Sequence, residues 1–94
     1  MDAEKLLMTA ADLLVERGKG YDLGKERSMA RTVAMFNVAT GRDLSEIDGW
    51  LFMQCLKIIR QQTAAGYHAD SYADEIAYVA LKAEAASNAG GVSE

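Results

Sequence analysis

The stretch "SEIDGWLFMQCLKIIRQQTA", residues 45–64, decides the fold. Ser45 followed three residues later by Asp48 has the form of a capping box, in which each side chain satisfies the other residue's backbone N–H at a helix start. The body from Ile47 to Ile59 is apolar on most sides, which marks a helix enclosed by its neighbours. The segment closes ahead of Gly66. About twenty residues rising ~1.5 Å each make a rod of about 30 Å, comparable to the width of a domain of this length. Cys55 falls in the middle of it and is expected to be packed and inert, with Trp50 and Phe52 in the core.

Working outward, the same periodicity recurs three times. Leu6, Ala10, Leu13 and Leu14 repeat at three- and four-residue spacing, giving a first helix over roughly 2–17 with Gly18 as its stop. Met29, Val33 and Phe36 give a second over roughly 25–39, ended before Gly41. A fourth, over roughly 70–86, places Tyr72, Ile76, Val79 and Ala83 on one stripe. Strand-like alternation is absent, and the chain contains no proline to interrupt a helix. The expected fold is therefore all-α, a compact four-helix bundle-like domain over residues 1–86, followed by a disordered tail, "SNAGGVSE", over 87–94. Short loops favour antiparallel neighbours, so the third and fourth helices should form a hairpin around Gly66. Ala73, Ala77 and Ala80 permit close helix approach within one chain or between two, and a homodimer or higher oligomer is expected.

Composition narrows the class. The chain has 94 residues, half of them hydrophobic, with a formal charge of −4 and a pI near 4.9. That balance argues against general nucleic-acid binding, because there is no net positive field to displace phosphate counterions. The single cysteine excludes an intrachain disulfide and fits a reducing compartment. The start, "MDAEKLLMTAADLL", lacks the basic and apolar regions of a signal peptide, and no run approaches the ~18 apolar residues of a membrane span. A cytoplasmic location with no membrane partner is expected.

Two clusters could carry chemistry. "GKGYDLGKERS", residues 18–28, resembles a phosphate loop but misses both nucleotide fingerprints: Glu26 stands where a Walker loop needs a hydroxyl, and no strand precedes the glycines. It is either a plain connection or an anion cradle in which Lys19, Lys25, Arg27 and Arg31 gather near a helix N-terminus. In "YHADSYADEIAYVAL", residues 67–81, Asp70 and Asp74 lie one helical turn apart. One alternative is an internal ion network with Lys57 and Arg60 of the preceding helix, Asp70 or Ser71 serving as N-cap and Asp74 completing a Ser-x-x-Asp box. The other is a Mg²⁺ site whose shell substrate phosphates complete. His68 is the sole histidine, so zinc would lack ligands, and a Cys–His nucleophilic pair fails if Cys55 is packed.

The blocks "ERGKGYDLGKERSMARTVAMFNVATG", "LSEIDGWLFMQCLKIIRQ" and "DSYADEIAYVAL" resemble a small phage-encoded domain family of unknown function. That family is related to the nucleotide-modification-associated domain and, distantly, to all-α MazG-like pyrophosphatases. The resemblance runs from about Glu16 to Leu81. It implies a protein of the infected host cell's cytoplasm that meets a nucleotide or other phosphorylated small molecule. Lys25, Arg27, Lys57 and Arg60 would contact phosphate, Tyr21 or Tyr78 would stack on a base, and Asp70 and Asp74 would orient the cations or hold Mg²⁺. The pyrophosphatases carry Glu-x-x-Glu and Glu-x-x-Asp pairs, which this chain lacks, so binding without turnover is the first expectation. The second is a homo-oligomeric interaction module acting on a host or phage protein. A Mg²⁺-dependent pyrophosphohydrolase is the third.

Overall fold

The computed structural model describes residues 2–19 and 28–90, with no side-chain placement for 17–19. These residues form four α-helices and no strand: α1 (Ala3–Lys19), α2 (Met29–Thr40), α3 (Glu46–Thr63) and α4 (Ala69–Gly90). The all-α, bundle-like architecture is the expected one.

Two helix starts, those of α1 and α3, carry side-chain caps. The Asp2 carboxylate accepts the Lys5 backbone N–H at 2.9 Å and caps α1. The capping box of α3 is complete: Asp48 N–H donates to Ser45 Oγ at 3.1 Å and Ser45 N–H to Asp48 Oδ2 at 2.9 Å. Between α2 and α3 the chain reverses at Gly41, whose φ of 71° is left-handed and suits glycine. Asn37 then clamps the loop with two bonds to Leu44, donating to its carbonyl and accepting from its N–H, both at 2.9 Å. Between α3 and α4 the turn passes through Gly66, at φ 129°. The start of α4 differs from expectation. The helix begins at Ala69, Ser71 N–H donates to the His68 carbonyl, and the His68 ring Nδ1 meets the Ser71 hydroxyl. Ser71 is therefore buried inside the first turn rather than capping it, and no Ser71–Asp74 box forms.

Packing runs in series. α3 lies along α4, α1 along α4, and α2 along α3. Where they converge, Trp50, Tyr78, Leu81 and Ala85 form the core, with Leu14, Met29, Ile47 and Met53 against it. Trp50 stacks on Tyr78 with ring centroids 5.8 Å apart, and its indole N–H donates to Glu46 Oε2 at 3.1 Å. Such a pair adds roughly 0.5–1.5 kcal/mol to its area burial. Gly49 lets α2 approach α3: a Cβ there would stand 2.5 Å from Met29 Sδ and 2.8 Å from Val33 Cγ2.

Four expectations about facing are corrected. Cys55 is exposed, not packed. Phe52 is 74 % exposed, because the inward stripe of α3 runs through Trp50, Met53, Gln54, Lys57 and Gln61 instead, and Phe36 of α2 is also outside. On α4 the buried stripe is Ser71, Asp74, Tyr78, Leu81 and Ala85, leaving Tyr72, Val79 and Ala83 exposed. α4, not α3 alone, supplies most of the buried residues. Boundaries shift as well: α1 passes through Gly18 to Lys19, and α4 continues to Gly90, four residues beyond the expected end. The expected start of the second helix at 25 lies outside the described residues.

Candidate functional site: the polar seam between α3 and α4

The hairpin brings three polar residues of α3, spaced at i, i+3 and i+7, against a matching row on α4. Gln54, Lys57 and Gln61 fall on the buried stripe of an otherwise apolar face, so burial forces each to find a partner across the seam. Lys57 Nζ stands 2.8 Å from Asp74 Oδ2, and the two side chains are only 10 % and 12 % exposed. Glu75 is bridged by two amides: Gln54 Nε2 donates to Oε2 at 2.9 Å and Gln61 Nε2 to Oε1 at 2.8 Å. The Gln61 amide also reaches the Ser71 carbonyl at 3.3 Å. At the far end Lys82 Nζ donates to Gln54 Oε1 at 2.6 Å, so one relay runs from Lys82 through Gln54 and Glu75 to Gln61. Hydrogen bonds to ionised groups are short and roughly twice as strong as neutral ones, and this relay has that character throughout.

Lys57 and Asp74 are brought together as the ion-network alternative requires. The cation that meets Asp74 is Lys57, whereas Arg60, one turn on, is exposed. Asp70 lies exposed in the first turn of α4, while Asp74 is buried against an ammonium. A carboxylate oxygen engaged by a lysine does not present an open position to a dication, so the two aspartates do not fit a Mg²⁺ site. Among the described residues no cluster of three or more His, Cys, Asp or Glu could hold a metal. Tyr78 is buried with its ring stacked on Trp50, so it does not offer a free face to a base. Tyr21, Lys25 and Arg27 lie outside the described residues.

Sequence reasoning missed Gln54, Gln61 and Lys82 and gave Glu75 no structural role. The signal was present: 54, 57 and 61 share a face with Trp50 and Met53, and 71, 75, 78 and 82 make the complementary row. What the arrangement can do chemically is fix register. A slip of α4 by one turn would leave two carboxylates and two lysines without partners.

No helix of the described residues is long and apolar enough to cross a membrane. Residues 5–86 match the model of a family described as a domain of unknown function, DUF6378, a span that contains the whole resemblance between Glu16 and Leu81. No curated protein and no solved structure matches.

Proposed function

We propose that the chain, which belongs to the DUF6378 family, is a binding module that acts by protein–protein association rather than by turnover. One observation carries this reading, the distribution of apolar side chains. Among the described residues, Val33, Trp50, Tyr78 and Leu81 are the only large hydrophobic residues that are buried. Met35, Val38, Leu51, Phe52, Leu56 and Ile59 are exposed, Val38 to 87 %. Phe52, Leu56 and Ile59 share one side of α3 by their helical spacing, and grouped exposed apolar side chains of this kind support an association surface. The seam supports the same reading, because its charges are spent on holding α3 against α4. The test is apolar dye binding measured alongside particle size at rising concentration. An association surface shows concentration-dependent assembly, or dye binding by the free chain. A monomer that binds no dye would overturn the reading.

A second reading, a binder of a nucleotide or other phosphorylated molecule, is favoured by the buried Lys57–Asp74 pair. An isolated buried ion pair contributes little net stability, and a phosphate replacing Asp74 would find Lys57 in place, with Arg60 one turn away. The resemblance to nucleotide-modification-associated and MazG-like proteins, and with it a phage setting, belongs to this reading. Thermal shift against nucleotides with and without Mg²⁺ tests it: a rise in melting temperature lost in Arg60→Ala supports it, and no response to any nucleotide removes it. Phosphate release abolished by Asp74→Asn would instead restore the pyrophosphohydrolase.

A further inference from the structure

We propose that Met29 is a redox-sensitive latch: oxidation of its thioether by a peroxide releases the N-terminal half of α2 from α3, and reduction closes it again. A latch of this kind controls which surface is on offer and does not depend on what that surface binds. Among the described residues α2 packs on α3 alone, and Val33 is its one buried residue. The close approach is made at Gly49, where a Cβ would stand 2.5 Å from Met29 Sδ and 2.8 Å from Val33 Cγ2. The sulfur thus fills the notch left by the missing side chain, and Met29 also packs against the core around Trp50 and Tyr78. The two ends of α2 are held differently. At the C-terminal end Asn37 is bonded twice to the Leu44 backbone, and Gly41 N–H closes on the Asn37 carbonyl. At the N-terminal end Ser28 gives no side-chain cap, so among the described residues the attachment rests on Met29 and Val33.

A thioether is apolar and polarisable, which suits a dry notch. Met29 is half-buried at the first position of α2, so solvent reaches the residue. In the step, the sulfur lone pair attacks one oxygen of hydrogen peroxide and the O–O bond breaks. An S–O bond forms, the sulfur gives up two electrons, and the departing hydroxide takes the proton of the transferred oxygen and leaves as water. The sulfoxide is larger and strongly polar, and donors beside the notch are already engaged. Gly49 N–H is bonded to the Ser45 carbonyl, and the Trp50 indole N–H to Glu46. A sulfoxide oxygen held there lacks a partner, which favours opening the notch to water. α2 then swings about its Asn37–Leu44 tether, and a helix of 12 residues without its packing partner is marginal in water. Reversal takes two electrons from thiols through a methionine sulfoxide reductase and returns the oxygen as water. Met8 and Met35 are exposed, so their sulfoxides would sit in water and disturb no packing.

The experiment uses the full chain carrying Cys55→Ser, which removes the exposed thiol. Graded hydrogen peroxide is followed by peptide mass for each methionine, by hydrogen exchange, and by the emission of Trp50, the one tryptophan. Oxidation confined to Met8 and Met35 should leave exchange and emission unchanged. Once Met29 is oxidised, the amides of Val33 to Phe36 should exchange about tenfold faster or more, and Trp50 emission should shift to the red, while the Leu44 amide stays protected. Met29→Gln, which places a polar group of similar length at the notch, should open α2 without peroxide. Met29→Leu should hold it closed through a treatment that opens the parent chain. Oxidised Met29 with α2 amides as protected as before overturns the latch, as does a Met29 that resists peroxide in the folded chain. Opening that persists in Met29→Leu would place the effect at Met53 and overturn it equally.

Discussion

Lys57 and Asp74 meet where neither would rest alone. Each has left water for a site only 10–12 % exposed, and the 2.8 Å contact offsets that loss. Removing the carboxylate leaves the buried Lys57 ammonium without its counter-ion, so Asp74→Ala should cost about 3–5 kcal/mol in urea denaturation. Replacing both with apolar residues, Lys57→Met with Asp74→Leu, should recover most of that loss. A double variant as unstable as Asp74→Ala would show that the pair does more than neutralise itself. Gly49 poses the opposite problem. Alanine there gains about 1 kcal/mol of helix propensity but drives its Cβ into Met29 and the stiff, branched Val33. Overpacking of this kind costs about 1–3 kcal/mol, so Gly49→Ala should lower the denaturation midpoint. A raised midpoint would mean that α2 can move away from α3.

The helices depend on their ends as well as their faces. Ser45→Ala removes the hydroxyl half of the α3 capping box and should cost about 1 kcal/mol of stability by the same measurement. Asn37 does more than its size suggests, because its one amide both donates to and accepts from the Leu44 backbone and so sets the angle at which α2 enters α3. Asn37→Ala should therefore speed hydrogen exchange at the Leu44 amide while leaving amides in the middle of α3 protected. Unchanged exchange at Leu44 would show that Gly41 alone sets the turn. The capping box and the two glycine stops were legible because capping chemistry is local, written within four residues. The start of α4 was not. Asp70, Ser71 and His68 are all adjacent candidates, and which of them lies inside the helix depends on burial against neighbouring elements.

Across the described residues, packing runs α1–α4–α3–α2 and leaves α3 with a bare side. If self-assembly covers that side, it stabilises the folded state by mass action, and the thermal midpoint should rise with protein concentration in the wild type. It should stay fixed in Phe52→Ser. A concentration-independent midpoint in both would count against assembly through this face.

Periodicity, caps and glycines, read along the chain, determined four helices, the hairpin at Gly66 and the meeting of Lys57 with Asp74, though not the expected part of Arg60 and Asp70. All of these follow from chemistry between residues close in sequence or from helical spacing. Which side of α3 faces inward was decided only in three dimensions. A helix apolar on most sides offers two burial stripes, and periodicity alone does not rank them. The stripe through Trp50, Lys57 and Gln61 won because α4 supplies Tyr78, Asp74 and Glu75 to meet it, and Phe52, Cys55 and Ile59 were left to the outside.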